Sequence, residues 1–216
     1  MPRTAPASPS PDRNTRRKAE TRARLLSAAR HQFATQGVEL TTIRDIAGEA
    51  DIALGGFYNY FRTKDEVLAE LLKQALGDQL AQLVARQAAV EDVAERVAIA
   101  HRHLLAAARE DADWGWLLVR LEVSHDLTNA VLGERAMRDL REGLRTGRFA
   151  SANPLVTLQA SGGALLGVFP GVLRGAYGPD DDCVHAEGVL RSFGVPPQDA
   201  AEIARRPLPP IPEDIS

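Results

Sequence analysis

Residues 41–68, TTIRDIAGEADIALGGFYNYFRTKDEVL, contain two short helical patterns separated by a tight turn. In the first pattern, apolar residues recur at i, i+3, i+4 and i+7, as they do on one face of a helix: Ile43, Ile46, Ala47 and Ala50. Thr41 or Thr42 can cap the start of this helix. In the second pattern, residues 53–61, Phe57 and Phe61 lie four positions apart and share one helical face. This stretch therefore predicts two short helices joined by a turn near residues 50–53.

Longer helical patterns lie on both sides of this pair. Residues 15–37 carry apolar residues at spacings of three and four and end on Gly37, a good left-handed helix stop. After the pair, Thr63 can cap a fourth helix whose first turn holds Asp65 and Glu66, where the helix dipole favours anions. This fourth helix is expected to end near Gly77, and the next helix to run over about residues 79–109. Beyond Gly77 the chain is rich in Ala and Leu and lacks Asn-Gly and Asp-Gly hairpin signals. We therefore predict an all-α protein.

The composition is that of a globular protein. Hydrophobic residues make up 44% of the 216 positions and charged residues 25%, which excludes disordered, collagenous and disulfide-stapled classes. The single Cys183 has no internal partner and the first residues lack the apolar core of a signal peptide, so we expect a cytoplasmic location. Residues 149–173 are uncharged and long enough to cross a bilayer, but their Ser, Asn, Gly and Pro content argues against a membrane span.

The charge is divided unevenly along the chain. The net charge is −3, but residues 1–64 carry eleven basic against six acidic side chains, a formal charge of +5. Residues 65–216 carry fifteen against twenty-three, a charge of −8. This division is typical of a protein that presents one end to a polyanion. The basic cluster from Arg16 to Arg24, taken alone, is equally compatible with a solvated helix face.

Two short helices joined by a tight turn match a helix-turn-helix, which presents one helix end to the major groove of DNA. Phe57 and Phe61 already occupy the apolar face of the second helix. Tyr58 and Tyr60 are therefore expected to lie partly outside the core, although core packing is the alternative for both.

Residues 41–68 resemble the DNA-binding domain of the TetR family of transcriptional regulators. The shared pattern reads roughly TT-x-x-x-IA-x-x-A-x-x-x-x-G-x-x-Y-x-YF-x-x-K-x-x-L, and the resemblance extends over about residues 16–76. It implies a three-helix helix-turn-helix DNA-binding domain plus a larger helical domain that binds a ligand and dimerises. We divide the chain into a disordered basic, Pro-rich tail (1–14), the DNA-binding domain (15–64), the ligand-binding and dimerisation domain (65–206) and a Pro-rich C-terminal tail (207–216).

The resemblance also implies roles for individual residues. Thr42 occupies the position of the family's phosphate anchor, and Arg44 a position that reaches base edges. The residues expected to face the groove are Leu54, Gly55 and Tyr58. Tyr60 and Lys64 stand where the family contacts phosphates. A basic N-terminal arm containing Arg16, Arg17 and Lys18 is expected to add minor-groove contacts.

Two positions depart from the family pattern. Ala53 stands where a Ser or Thr often caps the recognition helix, and Asp51 is a candidate substitute acceptor. Gly56 stands where a hydroxyl often touches a phosphate, so only its backbone N–H is available. Together with the apolar Leu54, these departures predict fewer direct hydrogen bonds from this helix, with more of the specificity carried by Arg44.

Two regions of the larger domain are candidates for its expected functions. Gly163, Gly167, Gly171 and Gly175 recur every four residues, which predicts a helix face that a second subunit approaches closely; a merely flexible helix is the alternative. Residues 114–125, WGWLLVRLEVSH, are the candidate ligand pocket, although simple core packing explains the tryptophans equally well. The residues assigned to this pocket are Trp114, Trp116, Arg120, Leu121 and His125.

The expected function is a ligand-responsive repressor. It would act as a homodimer on a near-palindromic double-stranded operator and be released by a small-molecule inducer that moves the fourth helix. We expect no membrane, cofactor or metal partner, because His101 and His103 cannot face each other on a helix and Cys183 has no neighbouring ligand. An enzyme is the second hypothesis, but the chain lacks phosphate-binding and nucleophile-elbow motifs. An accessory binding module without DNA is the third.

Overall fold

The computed structural model describes residues 13–120 and 133–211, and no strand occurs among them. We number the helices of this described part in chain order. They are α1 (Arg13–Gln36), α2 (Ile43–Glu49), α3 (Leu54–Phe57), α4 (Lys64–Gln87), α5 (Val93–Glu110), α6 (Ala112–Arg120), α7 (Glu134–Thr146), α8 (Pro154–Leu173), α9 (Pro179–Ser192) and α10 (Pro197–Arg205). The all-α prediction is confirmed.

Helices α1, α2 and α3 enclose a small core against the first turns of α4. Phe57 and Phe61 are 0% and 3% exposed and their rings lie 6.0 Å apart, so both occupy this core as predicted. Gly37 ends α1 with a φ of +89°, a conformation that favours glycine. The spacing of apolar residues and the glycine stop thus account for the first helices.

The turn between α2 and α3 is held from α1. The Arg24 guanidinium donates hydrogen bonds to the backbone carbonyls of Ala50 and Asp51. Arg22 forms an ion pair with Glu70 of α4 at 3.1 Å. Two members of the basic cluster therefore stabilise the N-terminal unit internally.

Helix α4 does not end near Gly77, where the pattern predicts a new helix, but continues to Gln87. The Thr63 hydroxyl caps its start by accepting a hydrogen bond from the backbone N–H of Glu66. The break comes instead at residues 88–92, where the Asp92 carboxylate caps α5 by accepting from the N–H of Ala94. Helix α4 consequently joins the N-terminal unit to the body in one continuous rod.

Helix α5 is the centre of the body and packs against α4, α6, α7, α8, α9 and α10. Its buried residues include Leu104 and Leu105, which lie in one core with Phe169 and Val172 of α8. A second core lies between α5 and the last two helices and includes Leu190 and Ile203.

Helix α8 begins at Pro154 because the Asn153 side chain accepts from the N–H groups of Leu155 and Val156. It ends at Leu173, and Gly175 follows with a φ of +73°. Among the described residues, α8 is the one helix that is long and apolar enough to be a candidate membrane span. Only 17% of its most apolar 18-residue segment is buried inside the protein. This low burial leaves a long apolar surface uncovered within the protomer.

Candidate DNA-binding surface and ligand cavity

Thr42 and Asp45 form a reciprocal cap at the start of α2. The Asp45 N–H donates to the Thr42 hydroxyl oxygen at 3.2 Å, and the Thr42 N–H donates to the Asp45 carboxylate at 2.9 Å. The Thr42 hydroxyl also donates to that carboxylate at 2.6 Å, which lowers the pKa of Asp45 below its ordinary value. The cap places Thr42 and the exposed Arg44 on the outer surface of the helix-turn-helix.

Helix α3 is a single turn, Leu54–Phe57, shorter than residues 53–61 predicted. Ala53 precedes it, and no side chain caps it within the described structure, so the expected substitution by Asp51 does not occur. Leu54 is 39% exposed and Tyr58 54%, and a Cβ on Gly55 would meet nothing within 4 Å. These three residues form an open surface with only one polar side chain.

Gly56 has a packing reason that the sequence does not show. A Cβ at this position would lie 2.8 Å from Cγ2 of Ile52, closer than side chains tolerate. Glycine at position 56 therefore allows Ile52, at the end of the turn, to pack directly against α3.

Tyr60 and Lys64 both make contacts inside the N-terminal unit. Tyr60 is half-buried against its core. The Lys64 ammonium donates hydrogen bonds to the carbonyls of Val38 and Thr41, the latter at 3.1 Å, and so ties α4 to the loop before α2. Their contact with phosphates remains a prediction.

Arg16, Arg17 and Lys18 are exposed, but they lie within α1, which starts at Arg13. Arg16 forms an i, i+4 ion pair with Glu20 at 3.2 Å. A helix is too wide to follow the minor groove as an extended arm does. These three side chains therefore extend from a helix and not from an extended arm, and their contact with DNA remains a prediction.

A cavity of about 520 Å³ lies among α4, α5, α6, α7 and α8, within the size range of small-molecule sites. Most of its wall is apolar and includes Leu83, Val97, Leu104, Leu118, Leu166 and Phe169. Six polar side chains also reach it: Gln87, His101, Arg135, Asp139, Gln159 and Ser161.

The two tryptophans predicted for the pocket, Trp114 and Trp116, do not line this cavity. Trp114 is 2% exposed and packs against Phe169 with ring centroids 6.0 Å apart. Trp116 lies beneath the Arg174 guanidinium at 5.6 Å. Among the described side chains of α6, Leu118 lines the cavity. The side chain of Arg120, together with Leu121 and His125, lies outside the described residues.

Two charged cavity residues are already paired. Arg135 donates to the Gln87 side-chain oxygen at 3.0 and 2.7 Å. Asp139 accepts from Arg96 at 3.0 Å, with both side chains 12% exposed. The buried Asp139 carboxylate is thus compensated by an opposite charge, and the half-buried Arg135 guanidinium is hydrogen-bonded to a neutral amide.

The uncharged end of the cavity contains His101, which is 8% exposed. Its Nε2 lies 2.9 Å from the Ser161 hydroxyl, and its Nδ1 lies 3.0 Å from Nε2 of His185. Burial, together with the adjacent His185, lowers the pKa of His101 to about 3. Sequence reasoning considered His101 only as a metal ligand and missed this role, since Ser161 and His185 are 60 and 84 positions away. Among the described residues no three His, Cys, Asp or Glu side chains could hold a metal ion.

The four predicted interface glycines have different environments. A Cβ on Gly163 or Gly167 would meet nothing within 4 Å, whereas one on Gly171 would lie 2.0 Å from the Tyr177 ring. Gly175 lies beyond the end of α8 and serves as its left-handed stop. Of these four glycines, Gly163 and Gly167 are the two that lie within α8 with open space beside them.

The open glycines belong to a larger exposed surface of small and apolar residues on α8 and α9. We call it the late-helix surface, and it comprises Val156, Ala160, Gly163, Gly167, Val184 and Gly188. On α8 these residues recur at i, i+4, i+7 and i+11, one helical face. Val156 is 57% and Val184 61% exposed.

Two family models match the chain. Residues 25–71 match the model described as bacterial regulatory proteins, tetR family. Residues 92–206, more than half of the chain, match the model described as tetracyclin repressor-like, C-terminal domain. The matches cover the helix-turn-helix and most of the body.

Individual relatives agree with the family models. An HTH-type transcriptional regulator of Bacillus subtilis (strain 168), YfiR, is 26% identical over 201 residues, 85% of this chain and 93% of its own length. The repressor KstR2 of Rhodococcus jostii (strain RHA1) is 39% identical over 70 residues, 32% of this chain and 34% of its own length.

Solved structures show the same fold over nearly the whole chain. RolR in complex with resorcinol is 34% identical, with a TM-score of 0.72 over 91% of this chain and 99% of that one. FadR of Bacillus halodurans, 21% identical with a TM-score of 0.67 over 79% and 94% of the two chains, shares the fold. The chain belongs to the TetR family and is a DNA-binding transcriptional regulator, not an enzyme.

Proposed function

We propose that this regulator is a homodimeric repressor that binds a near-palindromic operator and is released by a small aromatic ligand bearing hydroxyl groups. The observation that carries this proposal is the position of α6 between the cavity and the helix-turn-helix. Leu118 lines the cavity, while the preceding Leu117 is fully buried in the core of the N-terminal unit. A ligand that displaces α6 would therefore disturb the unit that carries α2 and α3.

The late-helix surface supports the homodimer. Exposed apolar surfaces of this kind are usually covered by a partner. The open positions of Gly163 and Gly167 allow a second copy of α8 to approach closely. Two-fold symmetry would then pair the late helices of the two subunits and place two helix-turn-helix units on half-sites about 34–36 Å apart.

The ligand class is supported by the cavity and by one relative. Apolar walls with a few polar side chains suit an aromatic ring that carries polar substituents. RolR, which is 34% identical over almost its whole length, has been crystallised with resorcinol, a dihydroxybenzene.

A cytoplasmic location follows for a protein that must reach chromosomal DNA.

Fluorescence anisotropy with labelled DNA from the region beside the protein's own gene tests the repressor proposal. We expect operator affinity to fall steeply with salt, because phosphate contacts release counterions, and to fall again on addition of resorcinol. Binding with no salt dependence, or DNA binding that no phenolic compound changes, would reject this function.

Light scattering tests the homodimer with a double variant, Gly163→Leu with Gly167→Leu. We expect it to be monomeric, while the matched variant Gly77→Leu, at another exposed glycine with no neighbour within 4 Å, stays dimeric. A double variant that remains dimeric would show that subunits do not meet on this face.

A further inference from the structure

Ser161, His101 and His185 form a chain of hydrogen bonds that starts at the cavity and ends on α9. Ser161 and His101 line the cavity, and His185, which does not line it, contacts the His101 ring. Within the described structure, the Ser161 hydroxyl is bonded to His101 and not to a carbonyl of its own helix. This is unusual for a helical serine, whose hydroxyl commonly bonds the preceding turn.

Both imidazole rings are neutral at physiological pH. Burial lowers the pKa of His101 to about 3 and also lowers the pKa of His185. Each neutral ring has one nitrogen that donates and one that accepts. The 3.0 Å contact between the rings therefore requires one ring to donate and the other to accept.

Two arrangements of protons satisfy this chain. In the first, His101 Nδ1–H donates to His185, and His101 Nε2 accepts the Ser161 proton. In the second, His185 donates to His101 Nδ1, and His101 Nε2–H donates to the Ser161 oxygen. Ser161 consequently presents an acceptor to the cavity in the first arrangement and a donor in the second.

We propose that Ser161, held by His101 and His185, binds an uncharged hydroxyl group of the ligand and thereby selects for it. A hydroxyl both donates and accepts, so either arrangement of the chain can satisfy it. A carboxylate or an ammonium would be buried here without an opposite charge, which is costly. The inference rests on the proposed function, because it assigns one end of the same ligand cavity.

The charged side chains of the cavity do not provide this selectivity for an uncharged hydroxyl group. Arg135 and Asp139 are engaged with Gln87 and Arg96. They mark a second polar position, distinct in chemistry from the neutral position at Ser161. A ring with two hydroxyl groups can use both positions, whereas a ring with one hydroxyl can use only one.

Calorimetric titration of the full chain without DNA tests the proposal with two probes, resorcinol and 3-methylphenol, which differ by one hydroxyl. The variant is Ser161→Ala, which favours the helix and removes only the hydroxyl. The matched control is Ser192→Ala, because the Ser192 hydroxyl returns to the Val189 carbonyl of its own helix and does not reach the cavity.

We expect the wild type and Ser192→Ala to bind resorcinol about tenfold more tightly than 3-methylphenol, the effect of one hydrogen bond. In Ser161→Ala, resorcinol should weaken by about tenfold and the two probes should bind within about twofold of each other. A wild-type preference that persists in Ser161→Ala would overturn the assignment of Ser161 while leaving the proposed function intact. If neither probe binds the wild type, the ligand class fails and the assignment fails with it.

The imidazole nitrogens provide a readout that a purely structural serine would not affect. In ¹⁵N-histidine NMR spectra, we expect resorcinol to shift the ring signals of His101 in the wild type and in Ser192→Ala. The same signals should stay in place in Ser161→Ala. If the ring signals of His101 do not shift when resorcinol is added to the wild type, the role of the histidine chain is refuted.

Discussion

Leu117 and Leu118 are consecutive residues of α6 whose side chains belong to different parts of the protein. Leu117 is fully buried in the core formed by α1, α2 and α3, and Leu118 lines the cavity of the body. Successive helical residues point about 100° apart, so one short helix can contact both. The Arg30 to Asp111 ion pair, 2.7 Å long, fastens the start of α6 to α1.

We expect the ion pair between Arg30 and Asp111 to transmit the effect of ligand binding from α6 to the DNA-binding unit. In Arg30→Met, we expect the ratio of operator affinities without and with resorcinol to fall at least threefold, whereas resorcinol affinity of the free protein changes less than twofold. Stability should change by less than about 1 kcal/mol, because both side chains are over one-third exposed. The control is Arg205→Met, which breaks an ion pair between α10 and Glu187 of α9. An unaltered ratio in Arg30→Met would show that the coupling takes another route.

Adjacent glycines of α3 should respond oppositely to alanine. Gly55→Ala adds a methyl group to open space and should stabilise the protein by about 0.5–1 kcal/mol. Gly56→Ala adds one 2.8 Å from Ile52 Cγ2 and should destabilise it by about 1–3 kcal/mol. Urea unfolding measures the change in the free energy of unfolding for each variant. Equal changes in the two variants would mean that the Ile52 side chain can move aside to accommodate the added methyl group.

Arg44 should determine specificity, and Arg17 only affinity. At fixed salt, Arg44→Ala should reduce discrimination between the operator and a single-base variant by about 1–3 kcal/mol. Arg17→Ala should weaken binding to both DNAs equally and reduce the salt slope by about one. Anisotropy titrations distinguish these cases, and full discrimination by Arg44→Ala would assign base recognition to other residues.

Acid should destabilise the fold through buried histidines. Burial lowers the pKa of His101 to about 3 and, with nearby Arg86, that of His103 to about 4, from an ordinary 6.5. The unfolded chain therefore binds protons below pH 6.5 that the folded chain does not, so stability falls as pH falls from 6.5 towards 4. Each histidine contributes up to about 1.4 kcal/mol per pH unit.

Urea unfolding at several pH values between 7.5 and 4.5 measures this slope. His103→Gln removes one titrating group and should flatten the slope, whatever its effect on the stability at neutral pH. The same slope in the wild type and in this variant would indicate that His103 gains its proton without unfolding.

The elements that local patterns determine were predictable from the sequence. Phe57 and Phe61 share a face four residues apart, and Gly37 and Asn153 end and start helices through their own backbone or side-chain chemistry. The prediction that α4 ends near Gly77 was wrong. Tertiary packing outweighs the low helix propensity of a single glycine, and α4 continues to Gln87.

The cavity depends on contacts that no local pattern reveals. Trp114 was a reasonable pocket candidate by composition, but it packs against Phe169 while the smaller Leu118 faces the cavity. His101 meets Ser161 and His185 only because α5, α8 and α9 pack together. Similarly, the need for glycine at position 56 arises from its contact with Ile52.

The most direct test of ligand-controlled DNA binding is the reciprocal measurement of both affinities. The operator dissociation constant is measured with and without saturating resorcinol, and the resorcinol dissociation constant with and without saturating operator. We predict that each ligand weakens the other by the same factor, at least tenfold, as linkage requires. An operator affinity that saturating resorcinol leaves unchanged, while resorcinol demonstrably binds the free protein, would contradict the account.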